Sequence, residues 1–266
     1  MTRSNALWGT LLLALALMLA FLPVLERPVL GAGASLALPA PESRAKNIIL
    51  FIGDGMGFNH TEATSYWAEG TEDSLVFQKF PVQLAASTYP ARSIGYDPEN
   101  AWDGTEYIKL GATDSAAAAT ALATGIKTYN AAIGVDFWEK PRTNTLERAE
   151  RWGKATGVVS TVPFSHATPA GFVAHQPKRD DYHSIAEDML CNSAADVIIA
   201  AGHPWYDNDH KRLDTAKFSY ISEATWGKVM ANAAGADANG DGSPDPWTFL
   251  EETASFKALG SGPAPE

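Results

Sequence analysis

The chain has 266 residues, of which 45% are apolar and 19% charged, and it carries a formal net charge of −11. That is the make-up of a globular protein of one large or two small domains. The acidic balance argues against nucleic acid or an anionic membrane as the main partner, so an anionic ligand would need a locally positive site built from metals, arginine or helix ends. A single cysteine, Cys191, excludes an internal disulfide; it reads as a small buried apolar residue rather than a thiol catalyst.

Residues 1–34 open with Arg3, run apolar from Leu7 to Leu25 and reach small residues at Ala32 and Ala34. This is the layout of a secretory signal peptide cut near Ala34, with an uncleaved membrane anchor as the alternative because the apolar run is long. Either way the body is expected outside the cytoplasm, in the periplasm or the extracellular space. Loss of Arg3, Glu26 and Arg27 with the signal would take a net +1 from the charge of −11, leaving −12. Residues 35–45 form a proline-bearing linker, and 46–266 the body.

The body begins with "NIILFIGDGMG", an apolar run broken by glycine, which predicts a buried strand from Asn47 presenting Asp54 at its end. Further strands are predicted at "VQLAASTY", "GVVSTVPF" and "DVIIAAG", and helices over 115–124, 145–156, 182–191 and 222–233. The alternation predicts an α/β fold, a three-layer sandwich with a mostly parallel central sheet flanked by helices. Functional residues in such folds gather beyond the carboxyl ends of strands, where Asp54 and the polar segment after Phe164 fall.

In "GATDSAAAATALATG" either Thr113 or Asp114 can cap the helix, and Ser115 falls in its first turn, where outward N–H groups attract anions. Alanine combines high helix propensity with little bulk, so the helix can press close against the sheet. Ser115 reads either as a nucleophile on a stiff post or as part of an ordinary capped helix. No GxSxG setting supplies a histidine base, which leaves metal activation of the hydroxyl. Asp54, with glycine on both sides, suits a metal ligand or a tight turn. The segment "PFSHATPAGFVAHQPKRDD" collects His166, Thr168, His175 and Arg179. Its imidazoles and hydroxyl suit a site for both magnesium and zinc, and the arginine fork suits a phosphate.

These three stretches, in this order, resemble the N-terminal half of an alkaline phosphatase, from about Asn47 to Gly202. The resemblance implies that Asp54 bridges a zinc and the magnesium, that Ser115 is transiently phosphorylated and that Thr168 is a hydroxyl ligand of the magnesium site. His166 takes a position that tunes the third metal site, and Arg179 grips the substrate phosphate. Two zinc ions, one magnesium ion, small phosphate monoester substrates, in-line phosphoryl transfer and a homodimer are implied with it.

The remaining zinc ligands that the family draws from its C-terminal half have no matching motif here; the nearest dipeptide, Asp209-His210, follows a strand without the D-x-x-x-H pair. The chain is therefore expected to be a fragment, incomplete on the C-terminal side of its sheet, and to be unstable or inactive alone. A separate acidic loop, Asp237 to Asp245, alternates oxygen ligands like a calcium loop but has Thr248 where glutamate is needed, so a solvated turn is the alternative. Two other readings compete. One is a sulfatase or phosphodiesterase of the same superfamily, disfavoured by the lack of a C/S-x-P-x-R motif. The other is a catalytically inactive exported module that binds phosphate or calcium.

Overall fold

The computed structural model describes residues 45–93, 97, 99–100, 106, 111–193, 195–236 and 245–261. The signal segment and most of the acidic loop, residues 237–244, lie outside them. Among the described residues no helix is long and apolar enough to cross a membrane. The chain divides into two units, Met1–Ile52 and Gly53–Glu266.

In the first unit the described residues 45–52 form no strand, and their apolar side chains are exposed, Phe51 at 90%. This corrects the buried strand expected from Asn47. Residues 82–89, in the second unit, are likewise irregular and mostly exposed, against the strand expected there. The physical reason is common to both. A strand exists only where a neighbour supplies the other half of its hydrogen-bond ladder, whatever the local apolar pattern. Among the described residues the one named sheet has two strands.

The second unit opens with α1 (Phe58–Glu69), which stops at Gly70 in the left-handed conformation. Then come α2 (Ser115–Thr124), capped by the side chain of Asp114 and closed by left-handed Gly125, and α3 (Thr145–Glu150). At the start of α3, Asn144 Oδ1 accepts from Glu147 N and Glu147 Oε2 accepts from Asn144 N, both at 2.9 Å. This reciprocal cap satisfies two otherwise unpaired amides. α3 ends six residues short of the predicted boundary, as the chain turns through left-handed Gly153.

β1 (Gly157–Pro163) leads into the single turn α4 (Ala167–Ala170), then α5 (Tyr182–Glu187), whose last turn widens into a π-turn over Asp188–Asn192, and then β2 (Val197–Ala201). β1 and β2 pair in parallel, Gly157 opposite Val197 and Val159 opposite Ile199, with an irregularity before Pro163 pairs Ala201. Parallel partners need a crossover, and the helices between them provide it. The α/β class is thus borne out. α6 (Glu223–Met230), capped by Ser222, and α7 (Thr253–Ala258) follow.

The core gathers Ala116, Ala119, Ala123, Ile133, Ala170, Ile185 and Met189, with Val158 and Ile198 of the sheet packed against it. The opposite sheet face leaves Val159 74% exposed, with Val197 and Ile199 also open. The alanine helix meets chiefly α4 rather than the sheet expected as its bed. A Cβ built on Gly171 would lie 2.6 Å from Ala119 Cβ, so absence of a side chain at Gly171 is what permits this approach.

Candidate active site

Asp54 sits in the tight turn after Gly53, closed by a 3.1 Å bond from Met56 N to Gly53 O, with Gly55 in the left-handed region. From there its carboxylate meets two hydroxyls. Ser115 Oγ lies 3.0 Å from Asp54 Oδ1 and 2.9 Å from Oδ2, and Thr168 Oγ1 donates to Oδ2 at 3.0 Å. Residues 61 and 114 positions apart in sequence thus share one carboxylate.

Ser115 is the first residue of α2, and Asp114 is the cap the sequence left open between two candidates. Asp114 Oδ1 accepts from Ala117 N at 2.9 Å, and the Asp114 carbonyl accepts from Ala118 N. The amide of Ser115 comes before the first intrahelical donor, so this helix start offers a backbone N–H beside the serine hydroxyl, while Ala116 is fully buried.

The other oxygen of Asp114 has a second duty that the sequence does not disclose. Oδ2 accepts from Ala131 N at 2.9 Å and from Arg179 Nη1 at 3.1 Å. Arg179 also donates its backbone N–H to Ala131 O at 2.8 Å. One carboxylate therefore caps the helix that starts at Ser115 and holds the guanidinium beside it, with the Asp114 and Arg179 side chains about a quarter exposed. Asn130 braces the same turn: its Oδ1 accepts from Asp114 N and its Nδ2 donates to Ala112 O.

His166 is engaged elsewhere. It stands at the N-cap position of α4 without a side-chain cap bond, its ring stacks on Tyr182 with centroids 5.2 Å apart, and it meets Tyr220 edge-on. Burial lowers its pKa, and the Arg179 charge adds to that, with Asp180 opposing. Of the five residues to which the resemblance gives a role, Asp54, Ser115 and Thr168 form one hydrogen-bonded group, while the His175 imidazole lies between the Gly134 carbonyl and Glu147. Arg179 is joined to that group through the cap of Ser115's own helix, and His166 stands two residues before Thr168 facing tyrosines. Of the acidic loop only Asp245 is described; Asp245 N donates to Ala236 O and Trp247 N to Ala234 O, which ties the two stems together.

An α/β chain with a hydroxyl at a helix start, a carboxylate on that hydroxyl and an arginine beside it invites comparison with known proteins. The alkaline phosphatase family model matches residues 45–204. The chain is 36% identical to alkaline phosphatase 3 of Bacillus subtilis over 195 residues, covering 68% of this chain and 39% of that protein. It is 40% identical to the alkaline phosphatase of Escherichia coli over 177 residues, 59% of this chain and 35% of that one. Among solved structures, the cold-active alkaline phosphatase of a psychrophilic Shewanella superposes with a TM-score of 0.55 at 34% identity, over 78% of this chain and 42% of that chain. These matches place the chain among α/β proteins of phosphatase type. It belongs to the alkaline phosphatase family, and it spans about two fifths of the length of the relatives it matches.

Proposed function

We propose that this chain carries the phosphate-handling part of a phosphate monoester hydrolase of the alkaline phosphatase type, acting on small phosphate monoesters outside the cytoplasm. The observation that carries the reading is the shared carboxylate of Asp54: it accepts from the Ser115 hydroxyl while Arg179 is held beside the same helix start.

The reading assigns work to the chain's own groups. Arg179 keeps N–H groups beyond the one it gives to Asp114, and its planar fork suits two phosphate oxygens. The Ser115 amide adds a donor at the positive end of α2. Ser115 Oγ attacks phosphorus in line, an Oγ–P bond forms as the P–O bond to the leaving group breaks, and the hydroxyl proton passes through the Asp54 carboxylate it already meets to the departing alkoxide, which leaves as the alcohol. Water then attacks the phosphoserine, which releases phosphate and restores Ser115.

The implied magnesium fits what is present. Asp54 and Thr168 offer hard oxygen donors already drawn together, and they would hold it; a bound cation there would lower the cost of ionising the neighbouring hydroxyl. The implied pair of zinc ions does not fit, because among the described residues no three His, Cys, Asp or Glu side chains converge. No step is routed through zinc.

Equilibrium dialysis with inorganic phosphate tests the reading. Arg179→Ala should weaken binding at least about tenfold, the order expected for losing a charge-assisted fork. Equal affinity in the variant contradicts the assignment. Phosphate binding with no phosphorylation of Ser115, when zinc and magnesium are supplied with a monoester, would favour the non-catalytic phosphate-binding module.

A further inference from the structure

Four residues before Arg179 stands a histidine with no part in the chemistry above, and its contacts reach two other segments. His175 Nδ1 lies 2.7 Å from the carbonyl of Gly134, an acceptor only, so Nδ1 carries a proton and donates. Nε2 lies 2.8 Å from Glu147 Oε1, on the carboxylate whose other oxygen caps α3. The ring therefore ties the segment carrying Arg179 to the 131–134 loop on one side and to a helix start on the other.

The neighbouring bonds follow the same pattern. Ile133 and Gln176 exchange two backbone bonds at 2.9 Å, and Arg179 N donates to Ala131 O. Asp188 Oδ2, at the start of the π-turn, accepts from His175 N at 3.2 Å and from Gln176 Nε2 at 2.8 Å. Gly134 is held at φ +60°, and a Cβ there would fall 2.1 Å from Ala174 O, so the loop and the segment touch backbone to backbone. At the far end of the loop, Ala131 N donates to the Asp114 oxygen that receives Arg179. Loop 131–134 is thus a common bed for the cap of Ser115's helix and the segment that delivers the guanidinium.

We infer that His175, braced by Glu147, is a positioning residue for Arg179: by fixing the 175–179 segment in register on the 131–134 loop it sets the guanidinium against Asp114 and so sets phosphate affinity. The inference rests on the proposed phosphate site and adds to it a residue that touches neither phosphate nor metal. The sequence offers His175 only as one of the imidazoles suited to a metal, whereas the structure places its ring between the Gly134 carbonyl and the Glu147 carboxylate, a pairing that no local pattern discloses.

The test is a double-mutant cycle read by phosphate dialysis on the full chain, with wild type, His175→Ala, Arg179→Ala and the double variant compared well below their melting temperatures. His175→Ala should weaken phosphate binding about tenfold, and the double variant should bind no more weakly than Arg179→Ala alone, since coupled residues do not add. A wild-type affinity in His175→Ala, or losses that multiply in the double variant, overturns the positioning role; a merely structural histidine gives the multiplied result. If Arg179→Ala itself changes nothing, the phosphate site fails and this inference with it. Should His175→Ala not fold, Glu147→Gln keeps the shape while weakening the brace, and about a threefold loss that vanishes in the Arg179→Ala background is expected. Loss persisting in that background overturns the role. Independently, the Arg179 Nε–H resonance should shift or broaden in either variant, and an unmoved resonance contradicts the inference.

Discussion

Two stretches of the second unit treat their apolar residues in opposite ways. Between Ala116 and Met189 small alanines, Ile133 and Ile185 vanish from solvent and hydrogen bonds knit loops to helix ends, although Trp152 and Val159 stay open. Between Phe58 and Leu84 large side chains face out, Trp67 at 89% and Leu84 at 90% exposure. Thr168 and Arg179 stand on the first stretch and Asp114 and Ser115 immediately before it, whereas Asp54 comes from just ahead of the second. Packing and hydrogen bonding are therefore concentrated around the guanidinium of Arg179 and the helix that starts at Ser115. Asp54 reaches that body from a glycine turn through hydroxyl contacts.

The sharpest way to break this contrast is to crowd the knitted stretch. Gly134→Ala must place a Cβ on the Ala174 carbonyl at an already left-handed φ, and we expect a loss of about 3 kcal/mol or more in denaturant unfolding. A loss near zero would mean that the loop does not lie on the 174–176 segment. Asp114→Ala removes a helix cap and frees Arg179; about 1–2 kcal/mol of stability should go, with a drop in phosphate affinity alongside. Stability lost without affinity would separate the two duties of that carboxylate.

A smaller effect sharpens the picture at the edge of the body, where His203 sits among Tyr206, Trp226 and Phe249, 3.4 Å from Glu251. Burial lowers the pKa of His203, against an opposing pull from Glu251 and with a minor lowering from Arg212. A folded value below the unfolded one means that the neutral ring's contribution is complete above an unfolded pKa of about 6.5 and fades as pH falls below it. The melting temperature should therefore drop from neutral to mildly acid pH, and His203→Phe should flatten that part of the curve; an unchanged slope would show that the ring titrates as freely folded as unfolded. The least effect is expected from the open stretch. Trp67→Glu and Leu84→Ser should each stay within about 0.5 kcal/mol, because little is buried there to lose. A large loss at either position would erase the contrast.

The sequence was legible where local chemistry decides the outcome. An aspartate, a run of alanines and Gly125 delimit α2 to the residue, and β1 and β2 fall on the two apolar runs that find each other. It misled where pairing decides: "NIILFI" and "VQLAAS" have the apolar content of strands and no ladder among the described residues. α1 was missed because its apolar residues follow no helical stripe, and the π-turn because one extra residue per turn leaves no mark in composition. At the site Asp54, Ser115 and Thr168 meet while His166 faces tyrosines, and the link that joins Arg179 to Ser115's helix runs through a second oxygen of Asp114 and through Ala131. Such an arrangement exists only once a chain separation of 65 residues has been folded back on itself.

The central claim, that Ser115 and Arg179 frame one phosphoryl position with Asp54 behind the hydroxyl, is met most directly by a crystal structure of the chain grown with orthovanadate, which mimics phosphorus in transfer. The account predicts vanadium on Ser115 Oγ, with the Arg179 fork on its oxygens. Vanadate bound away from both residues, with the Ser115 hydroxyl still resting on Asp54, would contradict it.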